Sequence, residues 1–155
     1  MNEIQRLVGE LRETYEGSPW HGTSVKEILS GVTSALASSK AADGAHSIWE
    51  MALHMSAWMD ITRKRLGGNV VEVKPDDDWP PVTETKRESW EKTLERLDSC
   101  EKKLEEAIAG LDDQQLEKNA AGKDHTVLFM LEGVIYHNVY HSAQISLLKR
   151  ISEKG

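Results

Sequence analysis

Apolar positions recur at intervals of three and four along most of this chain and divide it into four long segments. In the first, about residues 2–16, Ile4, Leu7, Val8, Leu11 and Tyr15 share one face of a helix, with charges between them. "GSPWHG" at 17–22 breaks that pattern with Gly and Pro. Ser24 then opens "SVKE", a capping-box sequence that predicts a short helix carrying Val25, Ile28, Leu29 and Val32. The small, polar stretch "SSKAADGA" at 38–45 reads as a loop. A second long helix is expected over about 46–66, with Gly67-Gly68 as its stop and Arg63, Lys64 and Arg65 suited to the negative end of its dipole. Residues 69–83 hold Pro75, Pro80, Pro81 and three consecutive Asp, which predicts an irregular connection.

The third helix, about 84–110, has the clearest seam: Trp90, Leu94, Leu97, Glu101, Leu104, Ile108 and Leu111. Glu101 is the one polar residue on it. After a turn around "LDDQQL", a fourth helix runs from near Asp124 to about Ser152. Four amphipathic helices in 155 residues predict an all-α fold: a four-helix bundle, one domain over 1–155, with an extra short helix after the first long one.

Composition narrows the class. Net charge is −7, with no basic stripe to displace counterions, so a nucleic-acid partner is not expected. No eighteen apolar residues run together, and the first residues hold no signal-peptide core, so no membrane association is expected and a cytoplasmic location fits. Cys100 is the only cysteine, which rules out an internal disulfide and any Cys-based zinc cluster. It reads as a small half-buried helical residue. Asp76–Asp78 lacks the spaced oxygens of a calcium loop and reads as solvated acidic surface.

The chemistry concentrates in "HNVYHSAQI" at 137–145. Four residues advance a helix by roughly 400°, so His137 and His141 share a face, and that face also carries Met130, Val134, Gln144, Ile145 and Leu148. Two imidazoles at this spacing can converge on one metal ion, but a stable site needs a third ligand. His54 shares its helical face with Met51, Trp58 and Ile61, which makes it the best third ligand by periodicity. His21, His46 and His125 lie in loops or near helix starts and have surface or capping explanations. Asn138 stands where a zincin would need Glu, and no paired E-x-x-H of a di-iron bundle occurs. A haem could not use both members of the pair. One mononuclear site of three neutral imidazoles remains.

The segments "WHGTS" at 20–24, "HSIWEMALHMSAW" at 46–58, "DWPPV" at 78–82 and "YHNVYHSAQISLLKR" at 136–150 resemble the DinB/YfiT-like family in order and spacing. Ala143 departs from relatives, which often have Gly there. The resemblance implies an up-down-down-up order of the four helices. It also implies a divalent metal held by one His of the second helix and the H-x-x-x-H of the fourth: His54, His137 and His141. Some members of the family look like S-transferases that use low-molecular-weight thiols such as bacillithiol or mycothiol, others like metal-dependent hydrolases, and relatives often look dimeric.

Zinc and nickel suit three imidazoles, and iron or manganese can also be held. Such an ion lowers the pKa of bound water towards ~7 or holds a thiol as thiolate, so both chemistries use one kind of site. Around it, Glu50 lies one turn before His54 and could hold an imidazole N–H, move a proton, or form a surface salt bridge. Gln144 and Tyr140 are expected to contact substrate or a ligand ring, Tyr136 and Tyr140 equally to pack. Trp20 and His21 could form a lid or pack as a capping loop. A hydrolase would need Glu50 or Glu101 as its base, whereas a thiol transferase needs less, and thiol transfer to a small electrophile is the preferred expectation. A non-catalytic protein binding metal or a small ligand, and a bundle whose histidines bind nothing, are the other readings. Five Trp in so small a chain also suggest a homodimer.

Overall fold

The computed structural model describes residues 1–154. The four long helices form where periodicity puts them: α1 (Glu3–Glu16), α4 (Ile48–Leu66), α6 (Arg87–Ala109) and α8 (Val127–Lys154). Side chains cap the starts of three of them, α1, α4 and α8, whereas α6, which follows Lys86, has no side-chain cap. The Asn2 side chain accepts from the Gln5 N–H, Ser47 accepts from Glu50, and the Thr126 hydroxyl accepts from the Phe129 N–H. Four shorter helices fill the connections: α2 (Val25–Leu29), α3 (Ser34–Ser38), α5 (Pro75–Asp78) and α7 (Asp113–Leu116). Of these only α2 is legible in the sequence. The others are one turn or little more, too short for periodicity, and each depends on a local start signal: Thr33 as cap, Pro75 at the first position, and the Asp112–Gln115 capping box.

Each long helix packs on two of the others. α4 lies against α6 and α8, and α1 lies against the same two. Polar cross-links record which ends meet. The Tyr15 hydroxyl donates to Asp98 at 2.6 Å, while Arg12, nearer the start of α1, pairs with Glu105, nearer the end of α6. Trp49 donates to Thr93 at 2.9 Å, joining the starts of α4 and α6, and Arg6 pairs with Glu132 at 2.8 Å, joining the starts of α1 and α8.

Buried apolar side chains from seven of the eight helices form one cluster; α5 contributes none. Leu7, Leu11, Met55, Met59, Leu97, Leu104, Leu131 and Ile145 at its centre are inaccessible to solvent. Each such side chain stabilises the fold by about 1.5–3 kcal/mol relative to exposure. Among the described residues there is no strand, only an isolated bridge between Asn119 and Thr126, and no helix is long and apolar enough to cross a membrane.

Two loops, one after α4 and one before α8, meet where Gly122 approaches Val70. Gly68 (φ +85°) turns the chain out of α4, and Gly122 (φ +71°) lies so close to Val70 that a Cβ there would come within 2.7 Å of its Cγ1. Both positions call for glycine, for its conformation and, at Gly122, also for its size.

Candidate metal centre

α4 and α8 bring His54, His137 and His141 together, with one ring nitrogen of each inside a group spanning at most 4.8 Å. His54 and His141 are buried and His137 is half-buried. The His54 Nδ1–H is directed at the Asp78 carbonyl oxygen, 2.5 Å away, and the His141 Nδ1–H at Gln144 Oε1, 2.7 Å away. A neutral imidazole that donates through Nδ1 keeps its lone pair on Nε2, so both rings turn an acceptor inward.

His137 Nε2 lies 2.9 Å from His54 Nε2, and its Nδ1 is buried without a partner. With the His137 proton on Nε2, the buried Nδ1 lone pair has no donor; with it on Nδ1, that N–H has no acceptor and two Nε2 lone pairs face each other. A cation among the three nitrogens relieves the facing of lone pairs. Tetrahedral Zn–N bonds of ~2.0–2.1 Å require nitrogens about 3.3 Å apart, a value between the 2.9 Å pair and the 4.8 Å limit. The donor set therefore fits a divalent ion.

Electrostatics agree with that fit. Burial holds all three imidazoles below their ordinary range, and His137 falls to about 3 because His141 and His54 add repulsion to its burial. All three are neutral at physiological pH, the form that ligates.

The histidines open into a cavity of about 870 Å³ with mostly apolar walls. Its roof is a stack. Trp79 lies flat on His54 (centroids 3.8 Å apart, planes 4° apart) and on its other face against His46 (3.5 Å, 2°). Asp78 anchors the same segment, its carboxylate accepting from the Trp58 indole N–H at 2.8 Å. The Asp-Trp pair after α5 thus fixes the His54 ring in position and orientation.

Several expectations need correcting. Glu50 does not reach the cavity: its carboxylate accepts the Ser47 N–H at 2.7 Å and pairs with Lys40 at 3.3 Å. Burial pushes its pKa up, but Ser47 and Lys40 outweigh that and hold it below the usual range. It is a helix cap. Trp20 and His21 are exposed and line no part of the cavity, so they form no lid. Glu101 faces α1, beside Arg12 and Glu16, remote from the histidines. Asp78 is not merely solvated acidic surface, and His46 and His125 both line the cavity.

Gln144 and Tyr140 do line it, Gln144 by holding His141 and Tyr140 by an edge contact to the same ring, while Tyr136 is exposed on α8. Asp78 and Trp79 were beyond reach of periodicity because they arrive on an irregular connection. The hint for them in the sequence was the quoted segment "DWPPV".

No curated protein and no solved structure matches the chain. A family model, that of the DinB superfamily, matches residues 20–145, a span that contains all three histidines, the stacking Trp79 and Gln144. With the match covering well over half of its length, the chain belongs to the DinB superfamily.

Proposed function

We propose that this protein holds one divalent metal ion on His54, His137 and His141 and transfers a low-molecular-weight thiol of the bacillithiol or mycothiol type to a small electrophile. The observation that carries the reading is the convergence of three neutral ring nitrogens on one point of a large, mostly apolar cavity. Zinc or nickel is the metal of first choice for such donors, with iron or manganese next. When bound, the ion supplies a localised positive charge that favours an anionic nucleophile at neutral pH.

The chain's own residues do the rest. The Asp78 carbonyl oxygen and Gln144 Oε1 accept hydrogen bonds from the Nδ1–H of His54 and His141 and so keep their Nε2 atoms unprotonated. Trp79 and the apolar walls exclude water, which strengthens charge interactions inside. In the transfer, the thiol sulfur bonds to an electrophilic carbon as that carbon's bond to its leaving group breaks, the group departs with the electron pair, and the thiol proton passes to it or to solvent. Such thiols are kept reduced in the cytoplasm, the compartment this reading calls for.

Hydrolysis is the second reading, and one observation favours it: Asp78 brings a carboxylate to the cavity wall. That carboxylate already accepts from Trp58 and lies 3.3 Å from His54 Nδ1, which makes it a positioning group before a base. Neither Glu50 nor Glu101 can replace it.

Two further proposals belong with this reading. The end-to-end contacts of α1 with α6, α4 with α6, and α1 with α8 support a single bundle with up-down-down-up helix order. Phe129, Tyr136, Tyr140, Leu147 and Ile151 form an exposed apolar stripe on α8 and support a homodimer. A monomeric mass by light scattering at micromolar concentration would end the dimer proposal.

The functional test offers purified protein a generic electrophile with bacillithiol, mycothiol and glutathione in parallel, after elemental analysis. The expected result is one divalent ion per chain and adduct formation with at least one thiol, lost in His141→Ala. Turnover of an ester or amide without any thiol, also lost in His141→Ala, would replace transfer by hydrolysis.

A further inference from the structure

At the far end of the same cavity stands a charge without a counter-charge. Arg65 is 94% shielded from solvent, since its relative exposure is 6%, yet it forms no ion pair among the described residues. Of its five N–H donors, one Nη2 donor reaches the Val71 carbonyl oxygen at 3.2 Å, and Nε is buried with no partner. Asp60, on the same helix, is committed to Arg63 and Lys64, and Asp78, on the cavity wall, to Trp58 and His54. Burial accordingly lowers the Arg65 pKa, with no neighbouring carboxylate to oppose it. An unpaired buried guanidinium is among the more destabilising features a fold can carry.

Position gives that charge a use. His54, Trp58, Thr62 and Arg65 follow one another at intervals of four, four and three, so they share one face of α4, and all four line the cavity. His54 and Arg65 are about three turns apart, ~16 Å between their Cα atoms. The Trp58 ring stands between them, 5.8 Å from the guanidinium carbon and 6.1 Å from the His137 ring. A cavity of about 870 Å³ that joins the two ends is the size of site that takes an elongated small molecule.

We propose that Arg65 is the anchor for an anionic oxygen group, a carboxylate or a phosphate monoester, on a ligand whose apolar body lies along Trp58 and whose other end meets the three histidines. This rests on the reading of the histidines as the reactive end. A guanidinium pairs with either anion through two parallel N–H donors, and inside an apolar wall such a pair forms without competition from water. The ligand thereby supplies the counter-charge that the protein lacks. Thr62, one turn before Arg65, offers a hydroxyl at the same end.

The test uses the fluorescence of Trp58 and Trp79, which line the cavity, to titrate three probes of one shape: 4-phenylbutyrate, 3-phenylpropyl phosphate and the neutral 4-phenylbutyramide. The protein is used as purified and again after chelation, alongside Arg65→Met and Arg65→Lys. The expected result is that at least one anion binds the native protein about tenfold or more tightly than the amide, the gap a charge-assisted pair supports. The tighter anion identifies the ligand's group. Arg65→Met should close that gap to within about twofold and keep the native metal content, and Arg65→Lys should retain part of it. Equal binding of anions and amide by the native protein would overturn the assignment. So would a preference that survives in Arg65→Met but vanishes on chelation, because it would then belong to an ion on the histidines. Should Arg65→Met fail to fold, an undiminished preference in Arg65→Lys overturns it. A native protein without metal that still prefers the anion sinks the proposed function and leaves Arg65 standing.

Discussion

Between α1 and α6 the buried positions are filled by Leu7, Leu11, Leu97, Leu104 and Ile108, and the one intrusion is Glu101. Along α4 and α8 the same depth holds His54, His141, Asn138 and Ser142, with Arg65 near the end of α4. Apart from Glu101, whose Oε1 is buried without a partner, the first interface keeps apolar and polar faces separate. The second places polar groups where leucine would stabilise more, and several of them have no partner: His137 Nδ1, both polar atoms of the Asn138 side chain, and Arg65 Nε. A buried polar atom without a partner costs about 1–3 kcal/mol, so the second interface is stabilised by the first and by whatever it binds. In this fold all four long helices feed the core, and α4 and α8 also carry the chemistry.

That division predicts opposite responses to substitution. His54→Ala, His137→Ala or His141→Ala should each weaken metal binding by at least about a hundredfold, since even outer partners of ligands are worth 10–100-fold, while helical circular dichroism is unchanged. Full occupancy in His54→Ala by elemental analysis would remove that residue from the ligand set. Leu97→Ala or Leu104→Ala should do the reverse, lowering unfolding free energy by about 2–5 kcal/mol in denaturant titrations with native metal content in the folded protein. Loss of metal from folded Leu104→Ala would mean the two interfaces are not separable.

The two regions should also differ in the sign of their pH dependence. The histidines titrate below their ordinary range in the folded protein, so on acidification the unfolded chain takes up protons first. Their contribution to stability is complete above about pH 6.5 and is lost as pH falls towards 3, the His137 value, with metal released from the folded site as pH approaches that value. Metal still held below pH 3 would argue against three imidazole ligands. Glu101 behaves oppositely. Burial raises its pKa to about 7, with Glu105 and Glu16 adding to the shift, so its contribution is present below pH 4.5 and is lost as pH rises through 7. Glu101→Gln should therefore raise the melting temperature at pH 8 and leave it unchanged at pH 4.5. An equal gain at both pH values would mean that charge is not the cause.

The smallest effect sharpens the boundary of the site. Glu50→Gln removes a cap charge and a half-exposed ion pair, which should lower stability by under about 1 kcal/mol and leave metal content untouched. A drop in metal occupancy would return Glu50 to the neighbourhood of the histidines.

Local sequence alone determined the long helices, because each repeats its apolar residues over three or more turns, and α1 and α4 add capping boxes, Asn2-Gln5 and Ser47-Glu50. It determined the histidine triad as well: His137 and His141 are neighbours by helical geometry, and His54 was the one remaining histidine on a core-directed face. The tertiary structure decided everything that depends on parts distant in the chain. Only the folded chain turns Asp78 and Trp79 onto His54 from a connection without periodicity, withdraws Glu50 to its own helix end, and sets Glu101 against α1. Only there does Arg65, an ordinary cation at a helix end by sequence, become a buried charge with no counter-charge among the described residues. Periodicity reports which way a side chain faces, and its partners are chosen by packing between segments that no local pattern relates.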